Sequence, residues 1–253
     1  MLAIITPYFN AHGCSLIKRN LNRYLSTINH PVTVAELSYD GLFHISDSLK
    51  FRGHSDQVMW QKERLINLAV AQLPDSVDRV AWIDGDIEFL DPDWFDKADD
   101  ALDGCDVVQL WSRCHWLSRF GDVVRMWDSV SHLGPGNHPG YGWAMKREHF
   151  PLPDRYIIGG ADTAIASVWS KANEYYLNQR FANHTDAWKQ YQELERKRFS
   201  NLVMKGLDVE IKHYWHLALN KRRYNFRIEG LARFGLDPYT HLETAPNGLL
   251  KWT

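Results

Sequence analysis

The sequence predicts an α/β fold, a mostly parallel central sheet flanked by helices. Three features point there. Apolar or β-branched runs alternate with segments of helical periodicity. The run at 79–83, Arg-Val-Ala-Trp-Ile, is continuously apolar after its first residue, as in strands buried on both faces. Carboxylates and glycines gather where such runs end, the edge at which open α/β sheets hold ligands.

Each element follows in order. Residues 2–9 (LAIITPYF) and 32–40 (VTVAELSYD) read as strands, and 15–28 between them has apolar residues at helical spacing. The next helix is expected over 55–74, with Ser55 or Asp56 as cap and Pro74 ending it. Strand 79–83 follows. Asp91-Pro92 then reads as N-cap and first position of a helix that Gly104 closes. Residues 106–111 form another strand, 133–142 a Gly/Pro-rich loop, 143–150 a strand, and 162–170 the start of a helix. A long helical stretch runs from about Asn173 to Lys205, and a loop-rich arm or lid from about Gly230. No repeat or linker composition divides the chain, so residues 1–253 are expected to form a single domain.

Composition narrows the functional classes. The 29 Lys and Arg against 31 Asp and Glu create no overall field for a polyanion. Three cysteines without a CxxC pair fit a reducing compartment better than a disulfide framework. The first ten residues lack a charged n-region, and no window has the roughly 18 apolar residues of a membrane span. A cytoplasmic protein without membrane insertion is expected.

The segment at 84–86, Asp-Gly-Asp, raises the chemical question. Residues two apart on a strand share a side, so Asp84 and Asp86 can converge on one Mg²⁺ or Mn²⁺. Gly85 would let a diphosphate approach the backbone closely. Asp-Gly is equally a hairpin signal. A calcium loop fails because Glu88 and Phe89 occupy its fifth and sixth positions. P-loop, dinucleotide, GxSxG and HExxH patterns are absent. Downstream, Gly159-Gly160 presents Asp162 at a helix start, and His213 and His216 stand three apart as candidate imidazole ligands.

From Ala3 to Arg227 the chain resembles nucleotide-sugar glycosyltransferases of the GT-A fold, particularly family 2 enzymes and the beta-1,4-galactosyltransferase group. ITPYFN is similar to their nucleotide-touching first strand and turn, which implies donor contacts at Thr6, Pro7, Tyr8 and Asn10. WQKERLINLAV resembles a helix in which Lys62 falls where the family carries arginine and Asn67 matches its asparagine. WIDGDIEF resembles the DxD segment, with Asp86 as metal ligand and Asp84 reaching the ribose or a metal-bound water. GYGWAMKREHF followed by GGAD resembles their Gly-rich segment. Gly160 then lies beside the donor and Asp162 is the catalytic base, while Ala161 replaces a family glutamate. HYWHLALNKRR resembles the HxH segment, with His216 the first choice and His213 the second for a further metal ligand.

The resemblance implies Mn²⁺- or Mg²⁺-dependent transfer of a sugar, with inversion, from a nucleoside-diphosphate sugar (UDP expected) to an acceptor hydroxyl. The acceptor could be a saccharide, a protein or a modified DNA base. Lys62 and Arg64 are candidates for the diphosphate, Asn10 and Asp40 for the nucleoside, and Trp111, Tyr141 and Trp143 for stacking. ELERKRF (193–199) and NKRRYNFR (220–227) form a candidate phosphate-contacting strip for DNA. A non-catalytic nucleotide-sugar-binding protein is the alternative of another class, and Ala161 is its main support. A nucleotidyltransferase is disfavoured by the lack of an N-terminal glycine-rich loop with lysine.

Overall fold

A computed structural model describes residues 1–133, 137–169, 174, 175, 177, 178, 181–216 and 224–253. The strands are β1 (Leu2–Phe9), β2 (Val32–Ser38), β3 (Leu49–Arg52), β4 (Arg79–Ile83), β5 (Ile87–Phe89), β6 (Val107–Gln109), β7 (Arg113–Leu117), β8 (Val123–Asp128), β9 (Gly142–Lys146), β10 (Met204–Gly206), β11 (Glu210–His213), β12 (Leu242–Thr244) and β13 (Leu250–Trp252). The helices are α1 (Ser15–Thr27), α2 (Lys62–Val70), α3 (Trp94–Ala101), α4 (Val130–Leu133), α5 (Ala161–Ser167), α6 (Asp186–Phe199) and α7 (Tyr224–Phe234).

The expected mostly parallel sheet is present. Its order is β10-β6-β9-β4-β1-β2-β3, and only β9 runs antiparallel to its neighbours. Alternation along the strands sorts side chains to two faces. Ile4, Ala81 and Ile83 pack with Leu21 and Tyr24 of α1 and Trp94 of α3. Ile5, Val80 and Trp82 pack with Leu65, Ile66 and Ala69 of α2. Each large side chain so buried gives about 1.5–3 kcal/mol.

A second sheet, β5-β11-β7-β8, was not expected from the sequence. In it β5 is antiparallel to β11, which runs parallel to β7, and β7 and β8 form a hairpin. The helix expected over 55–74 starts only at Lys62. Ahead of it lies a short 3-10 turn, Ser55–Gln57. Tertiary bonds claim the backbone between them: the Trp60 N–H donates to the Ile157 carbonyl (2.9 Å), and the Tyr39 hydroxyl donates to the Gln57 carbonyl (3.0 Å). The helix of 92–104 shortens to α3, and the stretch from Asn173 to Lys205 gives α6. The Thr185 hydroxyl caps α6 by accepting from the Trp188 N–H (3.2 Å). Residues 173, 176, 179 and 180 of that expected helix, and 134–136 of the Gly/Pro-rich loop, lie outside the described residues.

From about Gly230, where a loop-rich arm or lid was expected, turns and loops alternate with short regular elements. Helix α7 continues to Phe234, and β12 and β13 form an antiparallel pair fastened to α2. The Gln61 side chain bonds Leu250 twice, accepting from its N–H (2.8 Å) and donating to its carbonyl (3.1 Å). Arg64 Nε donates to the Gly248 carbonyl (2.5 Å), and its Nη1 pairs with Asp154 (2.9 Å). Arg64→Ala is expected to lower stability by about 1–3 kcal/mol, the range for orphaned polar partners. In thermal unfolding this reads as about 2–4 °C of Tm per kcal/mol for a chain of this size. An unchanged Tm would show that the hairpin is held without Arg64.

Candidate metal centre and its carboxylates

The parallel strands β1, β2 and β4 end on one edge, and the site grows from the end of β4. Ile83 pairs with Gly142, and the Asp84 N–H donates to the Tyr141 carbonyl (2.8 Å). The chain then leaves the first sheet. After Asp84-Gly85-Asp86 it enters β5, where Ile87 pairs with His213 of β11. β4 and β5 therefore belong to different sheets, and the Asp-Gly pair makes no hairpin. Gly85 serves packing: a Cβ there would lie 2.8 Å from Leu21 Cδ1. The close approach seen here is to the protein's own α1.

The two aspartates of this turn meet different partners. Asp86 Oδ2 lies 3.0 Å from His216 Nδ1 and 3.4 Å from His213 Nε2. One ligand atom from each of these three residues lies within 4.8 Å of the others. Burial pushes the Asp86 carboxyl up, but the two imidazoles beside it bring it well below the usual carboxylate range. His213 is buried, stacked on Trp116 (5.1 Å between centroids) and tilted against Tyr141 (5.0 Å). The Tyr214 N–H donates to the Asp86 carbonyl (2.8 Å), and the Tyr214 hydroxyl donates to Glu88 Oε2 (2.7 Å). Glu88 also pairs with Lys212 (3.1 Å) and Arg23 (3.5 Å), whose guanidinium lies over the Tyr214 ring. This network fixes β11 against β5 just ahead of His216.

Asp84 meets Lys62 instead, Oδ1 to Nζ at 2.7 Å, and Lys62 also reaches Asp162 Oδ2 at 3.2 Å. Only 7% of the Lys62 side chain is exposed. Burial opposes the charge on its ammonium, yet Asp162 and Asp84 hold it well above its ordinary range. Gly159 (φ 86°) and Gly160 (φ 106°) turn the chain into α5 through the left-handed region, which places Asp162 in its first turn. Ala161 is buried beside it.

Two further groups escaped the sequence reading. His138 stacks flat on Tyr141 (4.3 Å, 2°), and a Cβ at Gly140 would sit 2.9 Å from His138 Cε1 and 3.7 Å from Asp162 Oδ2. The imidazole and the carboxylate thus approach the same point. Trp116 bridges the second sheet to Tyr141, whose hydroxyl accepts from its indole. Tyr141 has φ 80°, strained for a residue with a side chain. The wealth of aromatics was visible in the sequence, but their convergence depends on β7, which was not.

The remaining residues expected at the donor or acceptor have the following surroundings. Thr6 is fully buried and its hydroxyl donates to Tyr24 (3.1 Å), while Tyr8 is buried in the core and Pro7 is half-buried between them. The Asn10 side chain bonds the Cys14 backbone twice (2.8 and 2.9 Å). Asp40 is exposed and accepts from Ser38 Oγ and the Leu42 N–H. Arg64 and Asn67 face away from the turn, toward Gly248, Asp154 and Leu152. Trp111 and Trp143 are core residues whose indoles donate to the Gly140 and Pro139 carbonyls. In the candidate DNA strip, Arg196 pairs with Glu174 and Glu193, and Arg198 with Glu195. Residues 220–223 lie outside the described residues.

By sequence, no family profile and no curated protein matches the chain. Solved structures similar to it include Drosophila beta-1,4-galactosyltransferase 7 in complex with manganese, UDP-Gal and xylobiose. That likeness covers 81% of this chain and 63% of the other, at 13% identity and a TM-score of 0.42. The chain thus spans less than two thirds of that galactosyltransferase. Glucosyl-3-phosphoglycerate synthase from Mycobacterium tuberculosis, with Mn²⁺, UDP and phosphoglyceric acid, is similar over 92% of this chain and 75% of its own. The identity there is 11% and the TM-score 0.43. The 4-diphosphocytidyl-2C-methyl-D-erythritol synthase of Anaerococcus prevotii is similar over 92% and 98%, at 11% identity and a TM-score of 0.36.

One titration is a test of this buried cluster. Glu63, beside Lys62, is buried, and burial pushes its carboxyl up to about 8 despite the neighbouring ammonium. The folded state then holds a proton that the unfolded chain releases near 4.5, so stability falls as pH rises from about 4.5 to 8. Glu63→Gln should flatten the Tm–pH curve across that window. Parallel curves for the two proteins would contradict a protonated Glu63.

Proposed function

We propose that the chain is a metal-dependent glycosyltransferase. It moves a sugar from a nucleoside-diphosphate donor, UDP expected, to an acceptor hydroxyl with inversion. The observation that carries this reading is the clustering of Asp86, His213 and His216 within 4.8 Å. A single turn joins this cluster to the Asp84–Lys62–Asp162 pairs.

One carboxylate oxygen and two imidazole nitrogens suit Mn²⁺ better than Mg²⁺, which strongly prefers oxygen. Asp86, His213 and His216 would hold the ion, which when bound neutralises charge on the departing diphosphate. Asp162 takes the proton of the acceptor hydroxyl as its oxygen bonds to the anomeric carbon. The carbon–oxygen bond to the diphosphate breaks, and the diphosphate leaves with the electron pair. Lys62 holds Asp162 and Asp84 in place from inside α2. Ala161 leaves Asp162 as the one carboxylate of the GGAD segment, which is consistent with a single displacement.

Two measurements test the reading. A real donor at 100 times its dissociation constant adds about 2.7 kcal/mol to stability. UDP with Mn²⁺ should therefore raise the Tm of the wild type, and Asp86→Ala or His216→Ala should abolish the rise. A shift that survives both variants would remove the ion from this cluster. Asp162→Asn should keep the Mn²⁺-dependent shift and lose about 10²- to 10⁴-fold in transfer rate, the usual weight of a general base. Transfer near the wild-type rate would refute that role.

A further inference from the structure

The β7–β8 hairpin forms the outer edge of the second sheet, and its tip carries apolar groups that the fold leaves uncovered. Phe120 is 76% exposed, Val123 53%, Val124 63% and Met126 59%. Four large apolar side chains within seven residues are more than the scattered exposure normal for a surface. Two cations and one carboxylate flank them: the guanidinium of Arg119 lies over the Phe120 ring (4.5 Å), that of Arg125 over Trp127 (3.7 Å), and Asp122 in the turn accepts from the Ser118 hydroxyl (3.4 Å), leaving one positive charge in excess. Arg113, at the base, is paired with Asp128 (3.1 Å).

Three occupants could cover such a tip. A second copy pairing edge to edge needs an unbroken ladder. Here Trp116 pairs with Arg125 and Leu117 with Val123, so Val124 bulges out of register. A two-fold pairing centred on this strand would also bring Arg125 against its own copy. A nucleic acid would call for stacking surfaces and denser positive charge, whereas three of the four groups are aliphatic. An anionic bilayer surface satisfies both features, because apolar side chains enter the headgroup boundary while arginines meet lipid phosphates.

We propose that the β7–β8 tip docks the protein on an anionic lipid surface, with Phe120, Val123, Val124 and Met126 entering the interface and Arg119 and Arg125 at the headgroups. The attachment is interfacial: among the described residues no helix is long and apolar enough to cross a membrane. Trp116, which stacks on His213, lies two residues before the turn that begins at Ser118, so a docked tip sets the candidate metal centre close to the surface. The proposal stands independently of sugar transfer.

Co-sedimentation of the full chain with phosphatidylcholine vesicles, with and without phosphatidylglycerol, tests it with neither donor nor metal present. Binding should require phosphatidylglycerol and weaken with salt. Arg119→Gln combined with Arg125→Gln should weaken it roughly thirtyfold, about fivefold per arginine near an anionic surface. Phe120→Ser with Val124→Ser should release the protein at unchanged Tm, since both positions are exposed. Three results would overturn the proposal: no binding to anionic vesicles, variants that bind like wild type, or a lipid-free dimer in ultracentrifugation that Val124→Ser dissolves.

Discussion

The turn Asp84–Gly85–Asp86 is the constraint on which the site depends. It carries two carboxylates out of one sheet and into another, at a place where Gly85 packs against Leu21. A buried charge without a partner costs several kcal/mol, so each carboxylate needs its own counterpart. Lys62 serves Asp84 and, from the same ammonium, Asp162. His213 and His216 serve Asp86. The separation divides the labour: a carboxylate with two imidazoles is a ligand set for a cation, and the two carboxylates that share an ammonium are held in place by it.

The second sheet makes this division possible. β5 takes over directly from the turn, and β11 brings His213 alongside Ile87 from more than a hundred residues away. Glu88 and Tyr214 then lock the two strands together, with Arg23 joining them to α1. The metal candidates are therefore held by packing on both sheets, while Asp162 arrives separately through the two left-handed glycines. Lys62 is the physical link between the two halves, and any shift of its ammonium is felt by Asp84 and Asp162 together.

Much of the first sheet was legible because its strands are long or continuously apolar, as at 2–9 and 79–83. The second sheet was not, because β5 and β11 have three and four residues and their pairing is remote in sequence. The order DGD, GGAD, HYWH singled out Asp86, Asp162, His213 and His216, and the structure brings Asp86, His213 and His216 together. It could not show that Lys62 is shared. At about 100° per residue, Lys62 and Arg64 lie some 200° apart on α2, so Lys62 reaches the aspartates while Arg64 bonds Gly248 and Asp154. The same geometry sends Asn67 to Leu152. On β1, residues two apart share a side, and Thr6 and Tyr8 are both drawn into the core.

The most direct measurement is anomalous diffraction at the manganese edge from a crystal soaked in Mn²⁺. The account predicts one strong peak within coordination distance of Asp86 Oδ2, His213 Nε2 and His216 Nδ1, absent when Asp86 is replaced by alanine. A peak elsewhere, or none while the two imidazoles keep their contacts with Asp86, would contradict it.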